Sequence, residues 1–259
     1  PTDNFPTFED NFNTEEIILD NKKFLKLINK TKISISNDDT RHYLNGIYLH
    51  ITDINGRNFL TGVATDSHRL SSSSVEISDI EDFSPFILPR KTVFQIGTLL
   101  AESSEKLIMQ AGENKIKFKI GNIKLISKVI DGKFPDYRKV VPTKNDKMLT
   151  VHSKDFISSI ERVTSVSLDR KEGVKLAISK DYIQLSVNSA NSGEGNEKIK
   201  AGFNSESLNI SFNSKYLIDI ANEVEDKNLK MHLKDSVSPV LIEDISDKNS
   251  FYVIMPMKI

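Results

Sequence analysis

One short segment of the sequence places a nucleophile, an acid and a base next to one another: Thr65-Asp66-Ser67-His68. These are the residue types of a hydrolytic triad, in which an acid orients the histidine that activates a serine. We expect the segment to lie on a strand, where Asp66 and His68 share one face and Ser67 lies on the other. Because a triad needs its three groups to converge on one point, this arrangement argues against a hydrolase.

The other histidines have no spacing that matches a set of metal ligands. They are His42, His50, His152 and His232, and we expect them to pack on the surface or on strands. The chain contains no cysteine, which excludes disulfides, thiolate catalysis and zinc sites built on cysteine. These residue types predict a protein that is not an enzyme and that needs no metal, nucleotide or other cofactor. The lack of cysteine also fits a cytoplasmic location.

Basic residues recur near the starts of the predicted helices. Lys22, Lys26 and Lys30 are spaced at i, i+4 and i+8, which places them on one helical face, opposite the apolar side chains. Cations in a first helical turn oppose the macrodipole, but they act together with the backbone N–H groups when an anion binds there. The residues expected to face such a polyanion are Lys22, Lys26, Lys30, Arg90, Lys91, Lys154 and Lys215. Contacts of this kind would be independent of base sequence, and a merely solvated lysine face is the alternative.

The elements that would position these residues follow one pattern twice, with a period of roughly 120–130 residues. Each copy opens with an amphipathic helix, from Asp20 to about Ile33 in the first and from Ser153 in the second, where Asp20 and Ser153 are the expected N-caps. Later in each copy a strand runs into a second helix, which starts at Pro89 or at a cap formed by Asn213 or Ser214. The alternating strands are expected at 44–51, 106–110, 115–120, 123–129, 173–178, 229–233, 240–244 and 251–255. Two helices and mostly antiparallel strands in each copy predict an α+β fold.

Length and composition fit two ordinary globular domains. The 259 residues suffice for two domains of about 120–130 residues each. The hydrophobic share is 38% and the charged share 27%, and no apolar run is long enough to span a membrane. With 35 basic and 36 acidic side chains, the chain lacks the bulk basic charge of a nucleic-acid binder. If it meets DNA, its positive charge must be sorted onto one surface.

Three segments resemble the signature motifs of one protein family. Val63-Ala-Thr-Asp-Ser-His-Arg-Leu70 is similar to ATDGHRL, Gly132-Lys-Phe-Pro-Asp-Tyr-Arg-Lys-Val140 to GRFPDYRRV, and Phe251-Tyr-Val-Ile-Met-Pro-Met-Lys-Ile259 to YVVMPMRL. These are motifs of the bacterial β sliding clamp, the DNA polymerase III beta subunit. Shorter matches at Arg41–Gly46, Phe212–Asn213 and Asp235–Val237 support the resemblance. The order and separation of the motifs agree with the last two of the clamp's three domains, and the resemblance covers essentially the whole chain.

The resemblance implies two consecutive clamp domains and a processivity factor for DNA replication. We expect a middle domain at 14–139, a C-terminal domain at 140–259, and at 1–13 the residual linker from a missing first domain. Full-length clamps are homodimeric rings that encircle double-stranded DNA, whereas a chain of this length is expected to be a monomer or to associate weakly. The implied partners are DNA polymerase III, other polymerases, the clamp loader, mismatch-repair proteins and ligase. A clamp-like peptide-binding scaffold without a DNA role is the alternative.

The resemblance also implies a hydrophobic pocket that receives short peptides from these partners. Carried over by motif, its residues are Leu44, Thr65, Ser67, His68, Arg69, Leu70, Pro135, Lys139, Val140, Asn213, Tyr216, Val237, Val253, Ile254, Met255, Pro256, Met257 and Ile259. The sequence departs from the family pattern at Ser67 (usually glycine), Lys139 (arginine), Lys171 (an aromatic residue) and Pro239 (serine). These departures bear on which peptides the pocket prefers.

Overall fold

The computed structural model describes residues 12–78, 83–166, 173–189 and 193–258. The α-helices in these ranges are α1 (Asn21–Lys32), α2 (Arg90–Ala101), α3 (Ser153–Thr164) and α4 (Ser214–Glu223). Single 3-10 segments lie at Asp39–Leu44 and Tyr137–Val140. None of the described helices has the length and apolar character needed to cross a membrane. The predicted Lys171 lies outside the described residues.

The strands repeat in the same order in the two halves of the chain. The first half holds β1 (Ile17–Leu19), β2 (Gly46–Ile54), β3 (Arg57–Thr65), β4 (Arg69–Glu76), β5 (Phe86–Pro89), β6 (Leu107–Ala111), β7 (Lys115–Ile120) and β8 (Ile123–Lys128). The second half holds β9 (Lys147–His152), β10 (Gly173–Ser179), β11 (Tyr182–Ser189), β12 (Gly193–Phe203), β13 (Leu208–Asn213), β14 (Asn228–Leu233), β15 (Val240–Asp244) and β16 (Ser250–Ile254). In each half a strand and a helix precede four strands, a second helix and three strands. The predicted internal repeat and the α+β class are therefore confirmed.

Side-chain capping marks the starts of α1 and α4 among the described helices. The Asp20 carboxylate accepts a hydrogen bond from the backbone N–H of Lys23 at 2.9 Å, as expected for an N-cap. Of the two candidates for α4, Asn213 is the cap, because its side-chain oxygen accepts from the N–H of Tyr216 at 3.2 Å. The expected cap Ser153 is instead the first residue of α3. The N-cap is His152, and the backbone N–H of Ser153, which has no partner within the helix, donates to the carbonyl of Lys227 at 2.8 Å.

The sheets join the two halves. Strands β1-β6-β7-β8 form one sheet, and the order β13-β10-β11-β12-β9-β14-β15-β16-β4-β3-β2-β5 forms a second sheet of twelve strands. All described strand pairs are antiparallel, including β16 on β4, which pairs Ser250 with Ser73 and Ile254 with Arg69. This pairing links the two halves through backbone hydrogen bonds.

Each half has its own apolar core between its helices and sheets, and a third cluster lies where the halves meet. The first core contains Phe24 and Phe118, whose ring centroids are 6.1 Å apart. The second contains Phe156 and Phe212. The third cluster comprises the buried Leu44, Val63, Leu70, Ile87, Phe134 and Val253. This junction cluster forms the base of the site described next.

Candidate functional site

The segment with triad-like residues is a hairpin turn and not part of a strand. β3 ends at Thr65 and β4 begins at Arg69. The Asp66 carboxylate accepts from the backbone N–H of His68 at 2.9 Å and of Arg69 at 3.0 Å, which is how Asp stabilises a turn. Ser67 has the left-handed φ of 76°. The expectation of a strand was therefore wrong, because the carboxylate of Asp66 competes with the strand's own hydrogen bonds.

The turn does not assemble a hydrolytic triad. The Ser67 hydroxyl accepts from Arg41 Nη1 at 2.5 Å, and Asp66 Oδ2 accepts from Arg69 Nε at 3.1 Å. The ring of His68 lies over that of Tyr216, with centroids 6.5 Å apart. The nucleophile, acid and base types each face a different partner, which leaves no activated nucleophile here.

A cavity of about 300 Å³ opens beside this turn at the junction of the two halves. Its lining comes from four separate stretches of chain: Arg41, Tyr43 and Leu44; Thr65, Ser67, His68, Arg69 and Leu70; Pro135, Asp136, Tyr137 and Val140; and Val253 and Met255. Most of the lining surface is apolar. A concave apolar site with a few polar groups at its edge is typical of ligand and peptide pockets.

Backbone and aromatic contacts hold the walls of the cavity together. The N–H of Met255 donates to the carbonyl of His68 at 2.8 Å, which fixes the chain after β16 against the hairpin. Within the junction cluster the rings of Phe134 and Tyr48 stack, with centroids 4.9 Å apart and ring planes 5° from parallel. Tyr137 OH lies 3.1 Å from His50 Nε2; burial lowers the pKa of His50 and raises the pKa of Tyr137. The neutral forms favoured by these shifts suit a dry wall that is packed on β2.

Arg69 forms ion pairs that join the two halves of the chain beside the cavity. Its side chain is 8% exposed and reaches Asp66 at 3.1 Å and, across the junction, Asp219 of α4 at 2.7 Å. Its guanidinium carbon also lies 4.2 Å above the ring of Tyr216, and burial raises the pKa of that tyrosine. Arg69 therefore fixes the hairpin on the second half of the chain and is committed to partners within the protein.

Comparison with known proteins identifies the family. The family model for the central domain of the DNA polymerase III beta subunit matches residues 18–136. The model for the C-terminal domain of the same subunit matches residues 138–258. Over its whole length the chain is 34% identical to the beta sliding clamp of Caulobacter vibrioides and 32% identical to that of Escherichia coli, and it covers 70% of each. The chain belongs to the β sliding-clamp family.

Solved clamp structures have the same fold as this clamp chain. The C. crescentus beta sliding clamp superposes with a TM-score of 0.97 at 33% identity, covering 100% of this chain and 69% of that one. The Bartonella birtlesii clamp bound to griselimycin superposes with a TM-score of 0.95 at 37% identity, covering 100% and 70%. The protein is accordingly a DNA polymerase processivity factor, which encircles duplex DNA and tethers proteins through a hydrophobic pocket. The names of the relatives indicate no enzymatic activity.

The structure brings together over half of the residues that the clamp resemblance assigned to the pocket. The cavity is lined by the predicted Leu44, Thr65, Ser67, His68, Arg69, Leu70, Pro135, Val140, Val253 and Met255. Their role in binding a peptide stays a prediction. The cavity also includes residues that the prediction missed: Arg41, Tyr43, Asp136 and Tyr137. All of these lie inside the quoted motifs 41–46 and 132–140, so the motifs themselves were the available signal.

Other predicted pocket residues do not line this cavity. Ile254 is fully buried in the second core, because alternation along β16 turns it away from Val253, and its assignment is corrected. Lys139 is 80% exposed and 3.5 Å from Asp136. Asn213 caps α4, and Tyr216 contacts the cavity through Arg69 and His68. Val237, Pro256 and Met257 lie outside the lining, and Ile259 lies outside the described residues.

Some of the predicted DNA-facing residues form ion pairs within the protein, and the others do not. Lys30 is 2% exposed and lies 2.9 Å from Asp244 and 3.0 Å from Asp247, so its assignment to a DNA-facing surface is corrected. The helical spacing was right, but the second domain covers the end of that face. Lys26 pairs with Glu225 and Asp247, each at 3.0 Å. Lys215 pairs with Asp219 at 2.7 Å. Of the predicted residues, Lys22, Arg90, Lys91 and Lys154 are exposed at the helix starts and take part in none of these ion pairs.

Across the described residues no three His, Asp or Glu side chains are grouped so that they could hold a metal ion. The polar groups of the junction are instead hydrogen-bonded or ion-paired with one another. The arrangement suits binding, in which preformed apolar walls accept a ligand, better than it suits bond-making chemistry.

Proposed function

We propose that the junction cavity is the site where this clamp receives short peptides from its partner proteins. The observation that carries the proposal is that four separate stretches of chain converge on one apolar cavity with Met255 at its edge. Met255 is 40% exposed, and a flexible, polarisable methionine adapts well to apolar ligand side chains. The cavity size suits one or two leucine or phenylalanine side chains.

The clamp partners follow from this proposal. We infer that polymerases use the cavity in turn with the clamp loader, mismatch-repair proteins and ligase, and that exchange takes place in the cytoplasm. The chain itself would catalyse no reaction and need no cofactor. We also infer domains at 14–139 and 140–259, since the 3-10 segment Tyr137–Val140 lies between the two repeated sets of elements.

A matched pair of methionines tests the peptide site. Met255 and Met257 are similarly exposed, at 40% and 38%, but Met255 lines the cavity and Met257 does not. Binding of a labelled Gln-Leu-Ser-Leu-Phe peptide is measured by fluorescence anisotropy. Met255→Ala should weaken binding about tenfold, because it removes apolar contact area, whereas Met257→Ala should change affinity less than about twofold. Equal effects of the two substitutions, or no binding to the folded parent chain, would contradict the proposal.

We further propose that the exposed basic residues at the helix starts face the DNA duplex. Lys22, Arg90, Lys91 and Lys154 each lie in the first turn of α1, α2 or α3. Helices α1 and α2 contact each other, as do α3 and α4. Lysine and arginine beside helix N-termini favour phosphate without reading bases.

Salt dependence separates a DNA-facing surface from a scaffold. Reversal of Lys22, Arg90, Lys91 and Lys154 to Glu should weaken binding of a labelled 20-base-pair duplex and flatten the slope of log K against log salt, by about 0.9 for each phosphate that the protein no longer neutralises. The control reverses the same number of exposed lysines elsewhere: Lys106, Lys119, Lys128 and Lys180. If the helix starts do not face the duplex, both variants should give the same result.

A further inference from the structure

The five methionines of the chain differ in how far solvent reaches them. Met109 and Met231 are fully buried in the two domain cores, whereas Met148, Met255 and Met257 are 36%, 40% and 38% exposed. A peroxide must reach the thioether sulfur in order to oxidise it, and the product is methionine sulfoxide. In the folded chain such oxidation is therefore directed to these three exposed methionines.

The three exposed methionines differ in what surrounds them. Met255 lines the junction cavity, and Met148 and Met257 do not. Met148 lies on β9, where its backbone N–H donates to the side-chain oxygen of Asn204 at 2.7 Å. The backbone N–H of Met257 donates to the carbonyl of Ser211 at 2.7 Å. A chemical change at the sulfur therefore alters the wall of the cavity at Met255 alone.

The backbone holds Met255 at the cavity. Its N–H donates to the carbonyl of His68 at 2.8 Å, and two residues earlier Val253 is 3% exposed in the junction cluster. Both Met255 and Val253 line the cavity. The side chain of Met255 therefore starts from a fixed point of an apolar wall, and a modified side chain stays at that wall as long as this hydrogen bond holds.

We propose that Met255 is a site of reversible oxidative modification by peroxides, and that its sulfoxide lowers the affinity of the cavity for peptides. This inference rests on the proposed peptide-binding function and adds to it a means of regulation. In the reaction a lone pair of the sulfur attacks one peroxide oxygen, and the O–O bond breaks. The sulfur is oxidised by two electrons and keeps that oxygen, while the second oxygen leaves as water with both protons of hydrogen peroxide.

The sulfoxide changes the polarity of the cavity wall. It replaces a polarisable apolar thioether with a hydrogen-bond acceptor. A leucine or phenylalanine side chain that packs against Met255 has no donor to offer that oxygen, so binding strips water from it without compensation. Oxidation at Met148 or Met257 produces the same polar group outside the lining and should leave the affinity unchanged.

Graded oxidation tests the role of Met255. The chain is treated with hydrogen peroxide, catalase ends the reaction, and mass spectrometry of proteolytic peptides gives the sulfoxide fraction at each methionine. Binding of labelled Gln-Leu-Ser-Leu-Phe, which contains no sulfur, is measured by fluorescence anisotropy on samples whose buried Met109 and Met231 remain unoxidised. Full oxidation of Met255 should weaken binding about tenfold, and treatment with both methionine sulfoxide reductases should restore it.

Two leucine substitutions assign the effect to one sulfur, each compared with its own untreated sample. Leucine has nearly the volume of methionine and no oxidisable atom. Peroxide should change the affinity of Met255→Leu by less than about twofold, whereas Met257→Leu should show the parent's loss. Excess unlabelled peptide should also slow sulfoxide formation at Met255 and not at Met148, because the ligand covers the cavity wall and not β9.

The results separate this inference from the function on which it rests. If the parent binds peptide before treatment and binds it equally well with Met255 fully oxidised, the inference is wrong and the peptide site stands. A loss of affinity that persists in Met255→Leu would assign the effect to another residue and would also overturn the inference. No binding before treatment would overturn the proposed function and this inference with it.

Discussion

At the residue scale, Lys30 is a charged side chain buried in the contact between the two domains. It belongs to α1 of the first domain, and its Nζ lies 2.9 Å from Asp244 and 3.0 Å from Asp247 of the second. The side chains of Lys30 and Asp244 are 2% and 0% exposed. Charges this buried are tolerated only when they are paired and hydrogen-bonded.

Removal of the Lys30 charge should destabilise the chain strongly. Lys30→Met keeps an apolar stem but leaves the buried Asp244 without its lysine partner and Asp247 with Lys26 alone. We expect the free energy of unfolding, measured by urea denaturation, to fall by about 3–5 kcal/mol. Lys22→Met is the control on the exposed side of the same helix and should change it by less than about 0.5 kcal/mol. Equal stability of the two variants would show that the buried pair does not form in solution.

The cluster of Lys30, Asp244 and Asp247 should make the free energy of unfolding depend on pH. Burial raises the pKa of Asp244, but hydrogen bonds from the Glu225 N–H, Ser246 and Lys30 outweigh it and hold that pKa well below its usual 3.8. Burial also raises the pKa of Asp247, and bonds from Lys30 and Lys26 outweigh it. Because the folded pKa values are depressed, this stabilisation is complete well above the unfolded pKa and is lost as pH falls through the folded values.

We therefore expect the free energy of unfolding to fall between about pH 5 and pH 2. In Lys30→Met the two carboxylates lose a partner that favours their charged form, so the fall should be smaller. The measurement is urea denaturation of both proteins across that pH range. The gap between them should narrow in acid, and a gap of constant size would argue against the linkage.

At the element scale, two glycines of β12 differ in how closely a helix approaches them. A Cβ at Gly195 would collide with the backbone of Val163, the carbonyl oxygen included, at the end of α3. At Gly202 nothing lies within 4 Å of the same position. The close packing of α3 on this strand therefore depends on the missing side chain at one glycine and not at the other.

Alanine at these two positions should have opposite effects. Gly195→Ala must displace α3 or the strand, and we expect it to destabilise the chain by about 1–3 kcal/mol. Gly202→Ala should be neutral or stabilise by up to about 1 kcal/mol, because alanine loses less backbone freedom on folding. Thermal unfolding followed by circular dichroism compares them. A tolerated Gly195→Ala would mean that α3 packs less closely than described.

At the scale of the whole molecule, the domains are joined by backbone, charge and apolar contacts at once. β16 pairs with β4, Arg69 reaches Asp219 at 2.7 Å, and Val253 packs into the junction cluster. Since the cavity is lined from both sides of this joint, its shape depends on a fixed angle between the domains.

This coupling predicts a single unfolding transition for the chain. In calorimetry the measured and van't Hoff enthalpies of the parent should agree. The double variant Lys30→Met and Arg69→Met removes both buried cations of the joint and should split the transition in two. The control, Lys22→Met with Arg57→Met, changes the same residue types at exposed positions. Two transitions in the parent chain would contradict the coupling.

Local chemistry made much of the fold predictable. The caps Asp20 and Asn213 act within three residues along the chain, and alternation marked the strands. Where local signals compete, the prediction failed. The carboxylate of Asp66 turns the chain where the expectation was a strand. Helix α3 begins at Ser153, and its N-cap is His152 rather than the expected Ser153.

The sequence by itself determined the family, the internal repeat and the motifs from which the cavity is built, because these depend on residue types in a fixed order. Only the tertiary structure decided which faces are covered. Helical spacing placed Lys30 correctly on the face of Lys22 and Lys26, but its partner Asp244 lies 214 residues away. Likewise Arg41 meets Ser67 only because the hairpin and the 3-10 segment pack side by side. Burial is set by contacts between distant segments, and local periodicity carries no information about them.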